Sequence, residues 1–545
     1  MTDILKIIST RATSQRLRAR KDQVENSAGG YTFAIDDEAR LRRFLTLGVE
    51  GGTYYAQPRE LAAENAEIVM QLAETNPRLL VDIIVEVSVA GRAPRANPAL
   101  FALAIAASFA DDAGRTYALE KLPQVARTGT HLFIFIGYVR QFRSWGRGLR
   151  RAVADWYLNQ SADKLAYQLV KYRQREGWTH RDLLRLAHPT GMDAAHGDLF
   201  AWAVSKGTGD TAGLPSIVGA YTQAQALGAA GAEADFVRLI SENPGMPWET
   251  LPDVALTMTG VWEALIHAGL PQTALLRQLP RLTRLGLTGG DTGKLIARQL
   301  ADPVRLHGAR VHPMSVLVAL RTYANGKGVR GDSKWTPERQ VLDALDAAFY
   351  AAYGGVEPTG KRLLLALDVS GSMTAPISGM PLSAREATAA MALVTAATEP
   401  DYEVVAFTAT QPLYAKKSAS LFGGCAISKL DISPRMRLDD VLRKTDNLPF
   451  GGTDCALPML WAAKAKVPVD TFIVYTDNET WAGDIHPYQA LRQYRDQLGI
   501  PAKLVVVATT ATSFSIADPS DAGMLDVAGF DSAVPNLIGD FIRGQ

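Results

Sequence analysis

The chain has 545 residues, of which 47% are apolar, and this length is sufficient for two or more domains with large cores. Its formal net charge is +1, so the composition as a whole does not indicate a nucleic-acid partner. The charge is uneven, because the sequence from Pro358 onward carries 16 Lys and Arg against 20 Asp and Glu. The basic excess therefore lies upstream, and residues 140–188 carry 11 Lys and Arg against 4 Asp and Glu.

Cysteine content and hydropathy exclude further classes of protein. The two cysteines, Cys425 and Cys455, cannot form a disulfide framework, and their spacing fits no zinc motif. No apolar run reaches the ~18 residues that a membrane-spanning helix needs, and the first residues form no signal-peptide core. We therefore expect a cytoplasmic protein that does not enter a membrane.

The chain begins with a polar, Arg-rich stretch over residues 1–30 that ends in the turn Ser27-Ala-Gly-Gly30. We interpret it as an arm that packs on a neighbouring domain, and contact with RNA is the alternative. From residue 36 to about residue 350, apolar residues recur at helical spacing between Gly, Pro and Asn, which predicts many short amphipathic helices. Such a succession suggests an α-solenoid of stacked helix pairs, although the sequence shows no strict period.

Within this helical region, two predicted helices over residues 162–175 and 180–186 carry basic side chains at spacings that place each set on one face. The first set is Lys164, Lys171 and Arg175, and the second is Arg181, Arg185 and His188. Two adjacent basic stripes would form a concave surface for RNA or DNA phosphates. A solvated face with intrahelical salt bridges is the alternative, although acidic residues at the matching positions are sparse.

The pattern changes after residue 358 to strands that alternate with helices. Strands are predicted over residues 363–368, 403–407, 471–475 and 503–509, and helices over residues 384–399, 438–444, 456–465, 487–498 and 534–542. This alternation is typical of a doubly wound, Rossmann-like α/β domain.

Oxygen ligands occur at the ends of two of these strands and in one loop. Asp368, Ser370 and Ser372 follow the first strand, Thr453 lies in a Gly-Gly-Thr loop, and Asp477 follows the strand over residues 471–475. An all-oxygen set suits Mg²⁺ best, with Mn²⁺ or Ca²⁺ also possible, and does not suit zinc. The set resembles the metal-ion-dependent adhesion site of von Willebrand factor A-type domains. The alternative is that Asp368 and Ser370 only cap the next helix.

Catalytic signatures are absent from the sequence. Neither Ser370 nor Ser372 lies in a Gly-x-Ser-x-Gly elbow, and no nucleophile has an evident activating partner. Asp454 and Glu479, which flank the predicted metal ligands, are interpreted as supporting or surface residues. We therefore expect a noncatalytic protein, and a metal-dependent phosphodiesterase remains a third class beside RNA binding and protein adhesion.

Longer stretches resemble the Ro autoantigen family, RNA-binding proteins with a TROVE module followed by a von Willebrand A-type domain. They include Gly29-Gly-Tyr, Gly51-Gly-Thr-Tyr-Tyr55, Trp145-Gly-Arg, Lys171-Tyr-x-Gln-Arg175 and Gly451-Gly-Thr-Asp-Cys455. The resemblance implies a TROVE module over residues 1–357, with HEAT-like repeats closed into a ring, and an A-type domain over residues 358–545. Residues 190–232 match the family poorly.

The resemblance also implies partners. Family members bind Y RNA on the outer surface of the ring and misfolded or aberrant noncoding RNA through its hole. They act in RNA quality control, maturation or decay with a 3′-to-5′ exoribonuclease such as polynucleotide phosphorylase. Lys171, Arg175 and His188 match the positions that the family uses for RNA. The further RNA-binding candidates are Arg173, His131, Arg147, Arg181 and Arg185. We expect a monomer, and the alternative function is a metal-dependent adhesion scaffold with a protein ligand at the metal.

Overall fold

The structure is a computed structural model, and the residues that it describes are 12–47, 58–93, 95–205, 207, 210–311, 313–328, 333–352, 358–374, 382–409, 425–434, 436–446, 452–509, 512–528 and 534–544. The first eleven residues of the predicted arm lie outside them. A helical region is followed by an α/β region, which confirms the predicted fold class. None of the described helices is both long and apolar enough to cross a membrane.

The helical region is a succession of short helices. They are α1 (Asp37–Leu47), α2 (Pro58–Thr75), α3 (Pro77–Ala90), α4 (Asn97–Phe109), α5 (Asp112–Glu120), α6 (Leu122–Val125), α7 (Gly129–Phe142), α8 (Arg147–Leu158), α9 (Ala162–Lys171), α10 (His180–Ala187), α11 (Ala194–Val204), α12 (Ser216–Leu227), α13 (Glu233–Glu242), α14 (Thr259–His267), α15 (Gln272–Arg284), α16 (Gly290–Ala301), α17 (Pro303–Gly308), α18 (Pro313–Ala324) and α19 (Arg339–Ala351). Their bounds agree with the apolar periodicity over most of the region, but α12 and α17 were not predicted and α9 ends at Lys171 and not at residue 175. The periodicity also predicts one helix over residues 115–126, which in the structure is divided into α5 and α6. Pro123, in the first turn of α6, explains the division, because proline is tolerated there and not within a helix.

The described part of the chain also contains eleven β-strands. They are β1 (Gln23–Glu25), β2 (Tyr31–Ala34), β3 (Gln174–Arg175), β4 (Trp178–Thr179), β5 (Leu363–Asp368), β6 (Tyr402–Ala409), β7 (Cys425–Leu430), β8 (Thr471–Thr476), β9 (Lys503–Ala508), β10 (Phe514–Ser515) and β11 (Met524–Ala528). The main sheet has six strands in the order β11-β9-β8-β5-β6-β7. All neighbours are parallel except β7, which runs antiparallel to β6 at one edge.

Helices cover both faces of this sheet, namely α20 (Ala384–Thr398), α21 (Leu438–Asp446), α22 (Leu457–Ala465), α23 (Pro487–Leu498) and α24 (Val534–Arg543). The central strand β5 is buried along its whole length. Its alternate residues enter two different cores, since Leu364 packs with α22 and α23, whereas Leu365 packs with α20. This two-sided burial explains why the strand is a continuous apolar run. Cys455 is free and buried nearby, as expected for a core cysteine.

The N-terminal arm forms part of the α/β region. Strands β1 and β2 form an antiparallel hairpin, and β10 adds to its other edge, so that the arm and residues after β9 share one three-stranded sheet. Helix α1 is attached beside it through Arg43, which is 1% exposed and pairs with Asp526 of β11. At the far end of the helical region, Arg321 of α18 pairs with Glu386 of α20. The α/β region is therefore attached to both ends of the helical region.

Candidate functional site

The first basic stripe predicted from the sequence is wrong in its geometry. Helix α9 ends at Lys171, and the chain then forms the hairpin β3–β4 instead of continuing as a helix to Arg175. Glu176 and Gly177 at the turn have φ values of 52° and 76°, which is the left-handed pair that a tight two-residue hairpin requires. Arg175 is consequently exposed on a strand and does not share a helical face with Lys171.

The hairpin nevertheless brings three predicted RNA-binding residues to one cavity of about 530 Å³, lined by Arg173, Arg175 and Arg181. Arg173 stacks 4.9 Å above the ring of Tyr221, and burial lowers the pKa of its guanidinium. The Nε of Arg181 is buried and has no hydrogen-bond partner among the described residues. A concave wall of three guanidinium groups is suited to phosphate oxygens.

An aromatic side chain completes this cavity and was not selected from the sequence. Trp202 of α11 lines it and is only 5% exposed. Its indole Nε1 is buried without a hydrogen-bond partner in the described part of the chain. A buried indole N–H normally finds an acceptor, so this donor is available to a ligand oxygen. A tryptophan in α11 gave no sequence signal, because its spacing from Arg173 becomes meaningful only after the hairpin is formed.

Arg147, Arg185 and His188 are exposed. A contact between the start of α8 and the end of α10 brings their segments together. The indole of Trp145, just before Arg147 at the start of α8, donates to the carbonyl oxygen of Leu186 at 3.2 Å. This bond attaches the start of α8 to the end of α10, which carries Arg185 in its last turn. His188 lies beyond the helix, in a left-handed conformation with φ of 46°, so the predicted single face for the second stripe holds for Arg181 and Arg185 only.

We define the basic face as the exposed or half-buried arginines that these elements bring together. Its members are Arg147, Arg173, Arg175, Arg181 and Arg185. They come from the start of α8, from β3 with the residue before it, and from α10. No lysine is included, because Lys171 has a different environment.

Lys171 is largely occupied by contacts inside the protein. Its Nζ donates to the hydroxyl of Tyr167 at 3.0 Å and lies 4.0 Å from Oε1 of Glu249. Burial lowers the pKa of the ammonium group, but the hydrogen bond to Tyr167 and the charge of Glu249 outweigh it and leave the pKa raised. Lys171 is therefore charged, yet only 13% of its side chain is exposed.

His131 is a neutral, mostly buried side chain at the start of α7. The pKa of its imidazole is lowered to about 4, chiefly by burial and also by the nearby charge of Arg127. Its backbone N–H is capped by the Thr128 hydroxyl at 3.2 Å. A neutral ring cannot neutralise a phosphate at pH 7, so His131 is limited to hydrogen bonding or packing.

The predicted metal ligands come together at the carboxyl end of the sheet. Asp368 ends β5 and is fully buried. Its Oδ1 accepts the backbone N–H of Ser370 at 2.9 Å, and its Oδ2 accepts the hydroxyl of Thr476 at 2.7 Å. Thr476 ends the neighbouring strand β8 and immediately precedes Asp477. Ser372 lies in the next turn, but its side chain is outside the described residues.

The environment of these groups fits a divalent cation. The pKa of Asp368 is raised to about 7, chiefly by burial and also by the charge of Asp477. The hydroxyl oxygen of Thr453 is buried without a hydrogen-bond partner among the described residues. Two adjacent buried carboxylates with an unsatisfied hydroxyl are costly without a positive charge. The candidate donors are carboxylates and hydroxyls, because they belong to Asp, Ser and Thr residues. In the part of the chain that the structure describes, no three His, Cys, Asp or Glu side chains form a group that could hold a metal ion.

The N-terminal arm supports the loops of this metal centre. Gln15 is fully buried, and its Nε2 donates to Oδ1 of Asp454 at 2.7 Å while its Oε1 accepts the Thr480 hydroxyl at 2.6 Å. The backbone N–H of Ala28 donates to Glu479 Oε2 at 3.1 Å. Asp454 and Glu479 are thus buried supporting residues, and sequence reasoning found their positions without identifying Gln15 as their partner.

Comparison with known proteins identifies close relatives. The Ro60 vWA domain family model matches residues 362–542, and the TROVE domain model matches residues 24–210 and 238–322. A Deinococcus radiodurans protein named RNA-binding protein RO60 is 42% identical over 559 aligned residues that cover 100% of both chains. A Caenorhabditis elegans protein of the same name is 35% identical and covers 98% of this chain and 92% of its own length. The crystal structure of Deinococcus radiodurans RO (RSR) protein matches with a TM-score of 0.68 at 41% identity, covering 93% of this chain and 100% of that one.

Proposed function

Because the chain belongs to the Ro60 family, we propose that it is an RNA-binding protein that holds RNA phosphates on its basic face. The observation that carries the proposal is the convergence of Arg173, Arg175 and Arg181 on one cavity. Two relatives that align over nearly their whole length are named RNA-binding proteins, which supports the choice of RNA over DNA. Guanidinium groups form paired hydrogen bonds with phosphate oxygens, and they remain charged when partly buried.

The proposed RNA partners are Y RNA and misfolded noncoding RNA, and the proposed role is noncatalytic. A double-stranded RNA is recognised mainly by its shape and its phosphates, which suits several arginines spread over α8, the β3–β4 hairpin and α10. In this role the protein would present RNA to a 3′-to-5′ exoribonuclease, such as polynucleotide phosphorylase, in RNA quality control, maturation or decay.

The test replaces Arg175 and Arg185 together by Gln, which removes two exposed charges and little packing. The matched control is Arg339→Gln, since Arg339 is 92% exposed and pairs with Asp343 on a helix outside the basic face. Filter binding of a Y-like RNA should show affinity reduced about tenfold or more in the double variant. The slope of log affinity against log salt should fall by about one for each lost phosphate contact. Unchanged affinity and slope would refute the proposal.

We also propose that Asp368, Ser370, Thr453 and Asp477, together with Ser372, bind a divalent cation, with Mg²⁺ preferred over Mn²⁺ and Ca²⁺. The support is the buried carboxylate pair and the unsatisfied Thr453 hydroxyl. When bound, the cation would offer a coordination position to an oxygen of a partner molecule. The role of the protein side chains is to supply oxygen ligands in a buried site that the Gln15 contacts hold in place.

The same candidate metal centre supports a second candidate function, that of a scaffold that binds a carboxylate of a partner protein through the cation. Asp368→Ala separates the two functions, because it removes a metal ligand far from the basic face. Loss of a co-purifying protein with unchanged RNA affinity would assign the cation to a protein partner. Cleavage of RNA by the pure protein with Mg²⁺ would instead establish a phosphodiesterase, and we expect no cleavage products.

A further inference from the structure

Two neighbouring loops carry the later candidate ligands of the metal centre. We call residues 452–455, which include Thr453, the threonine loop, and residues 477–485, which include Asp477, the aspartate loop. The backbone N–H of Trp481 donates to the carbonyl oxygen of Thr453 at 3.1 Å. The two loops therefore lie side by side, and a cation bound by Thr453 and Asp477 would connect them.

The side chain of Gln15 in the N-terminal arm connects the same two loops. Its Nε2 donates to Oδ1 of Asp454 in the threonine loop at 2.7 Å and to the carbonyl oxygen of Ile485 in the aspartate loop at 2.9 Å. Its Oε1 accepts the hydroxyl of Thr480, also in the aspartate loop, at 2.6 Å. Gln15 is 0% exposed, so water does not compete for these bonds. The amide therefore fixes the spacing of the two loops that the cation would also fix.

The turn of the arm before β2 fits closely against the aspartate loop. The Asn26 Nδ2 donates to the carbonyl oxygen of Thr480 at 2.8 Å, and the backbone N–H of Ala28 donates to Oε2 of Glu479 at 3.1 Å. A Cβ at Gly30 would lie 1.9 Å from the Thr480 carbonyl oxygen, so glycine permits an approach that other residues would prevent. The arm can therefore dock fully only when the aspartate loop has this conformation.

The charges of the metal centre link the conformation of this loop to the cation. Asp368, Asp477 and Glu479 are 0%, 1% and 0% exposed, and like charges in a poorly hydrated site repel each other. Without a cation, a movement of the aspartate loop that hydrates its carboxylates would relieve this repulsion. The same movement would separate Glu479 and Thr480 from the arm. A bound cation would remove the reason for it, so the cation and the arm favour one arrangement of the loop.

We propose that docking of the arm and binding of the cation stabilise each other, with Gln15 as the positioning residue that couples them. The inference rests on the cation binding proposed above for the metal centre. Linkage requires that the docked arm raises the affinity for the cation by the same factor by which the cation favours docking. Because β2 leads into α1 after two residues, the cation would also influence how the start of the helical region is attached.

The first measurement is calorimetric titration of the full-length protein with Mg²⁺ alone. Gln15→Met removes three hydrogen bonds and keeps most of the packing, and it should weaken Mg²⁺ binding by about tenfold or more. Gln23→Met is the matched control, because Gln23 is also buried in the arm, at 2% exposed. Among the described residues its side chain hydrogen-bonds to His486, at 3.2 Å, and to the backbone of the arm itself, and not to either loop. It should weaken Mg²⁺ binding much less than Gln15→Met does.

The second measurement is the rate at which trypsin cleaves after Arg16 and Arg18, followed by mass spectrometry. Both residues are exposed in the arm, but cleavage requires that the surrounding segment is locally released. Saturating Mg²⁺ should slow this cleavage in the wild type and in Gln23→Met. The same Mg²⁺ concentration should not slow it in Gln15→Met, because the coupling is lost. Asp368→Asn, which lacks a candidate ligand, controls for any effect of Mg²⁺ on trypsin itself.

The two measurements separate failure of this inference from failure of the cation site. A wild type that does not bind Mg²⁺ would overturn the proposed site and the linkage with it, whereas binding without protection of the arm would overturn the linkage alone. Equal losses of Mg²⁺ affinity in Gln15→Met and Gln23→Met would overturn the role of Gln15. If Gln15→Met does not fold, Asp368→Asn decides, because its arm should be cleaved faster than that of the wild type in Mg²⁺ and equal rates would overturn the proposal.

Discussion

Replacement of Arg43 by Met should strongly destabilise the attachment of α1 to the α/β region. The Arg43 Nη1 donates to the carbonyl oxygen of Thr512 at 2.8 Å, to its hydroxyl at 2.9 Å and to the carbonyl oxygen of Phe514 at 2.9 Å. Its Nη2 pairs with Oδ1 of Asp526 at 2.5 Å. Methionine has a similar length and is apolar, so the change removes the donors and the charge and keeps most of the packing.

The size of the stability loss follows from the burial of the Arg43–Asp526 pair. The Arg43 side chain is 1% exposed and that of Asp526 is 14% exposed, so removal of the cation leaves a poorly hydrated carboxylate and three weakened acceptors. Breaking one side of such a buried pair costs about 3–5 kcal/mol. Among the described residues, the hydroxyl of Ser515 alone remains as a polar partner of the same Asp526 oxygen, at 2.5 Å. We therefore expect Arg43→Met to lower the free energy of unfolding by about 3 kcal/mol, the lower end of that range.

Arg42 is a matched control on the same helix. Its side chain is 28% exposed and pairs with Glu38 and Glu86, which are 45% and 50% exposed, and such surface pairs contribute about 0–1 kcal/mol. Urea unfolding should give a much larger loss for Arg43→Met than for Arg42→Met. Amide hydrogen exchange should accelerate in α1 and β10 for Arg43→Met only. Equal effects of the two substitutions would refute the argument from burial.

Three further predictions concern the arm, the metal centre and acid stability. Gly30→Ala should loosen the arm and make it susceptible to trypsin, because the new Cβ would lie 1.9 Å from the Thr480 carbonyl oxygen. Gly137→Ala should not change the susceptibility of the arm, because nothing lies within 4 Å of a Cβ at that position. Added Mg²⁺ should stabilise the wild type by up to about 2.7 kcal/mol at 100 times Kd and so raise its melting temperature. It should leave the melting temperature of Asp368→Asn unchanged, and equal shifts in both proteins would contradict the assignment of Asp368 as a metal ligand. His131 has its pKa lowered to about 4 when folded, so the unfolded chain binds more protons and stability falls as the pH drops from about 6.5 to 4. His131→Gln should remove up to about 3 kcal/mol of that pH dependence, and an unaltered pH profile in urea unfolding would contradict the assignment.

The α/β region could be predicted from the sequence because its strands carry a strong local signal. The run from Leu363 to Asp368 was predicted as a strand and is β5, since burial on both faces leaves no polar position within it. The weaker strands β7 and β11 were missed. They lie at the two edges of the sheet, where one side of the strand has no neighbour and the apolar pattern is less continuous.

The basic face shows where local periodicity fails. Lys171 and Arg175 are four residues apart, and that spacing predicts one helical face only if the helix continues. The helix instead ends at Lys171, and the turn at Glu176 and Gly177 then forms a hairpin. The residues were therefore selected with an incorrect geometry, and the partners of Lys171 became evident only from tertiary packing, since Glu249 lies far along the chain.

The residues of the candidate metal centre were selected by residue type, but the residue that supports their loops was not. Strand-end acids and hydroxyls follow from the rule that ligands gather at the carboxyl ends of parallel strands. Gln15 carries no such signal, because a single glutamine in a polar stretch is indistinguishable from a solvated one. Its role depends on contacts with Asp454 and Thr480, which are more than 400 residues away.

That separation has a consequence for how the protein is made. The arm is synthesised before the α/β region, and the hydrogen-bond partners of Thr13, Ser14 and Gln15 in that region are 439 to 476 residues further along the chain. Chain synthesis proceeds at about 5–20 residues per second, so roughly 20–90 s pass between synthesis of the buried glutamine and strand hairpin and synthesis of the segment that covers them. The candidate metal centre can therefore assume its final form only after synthesis has passed these partners, and a chain that stalls before them would lack a finished site.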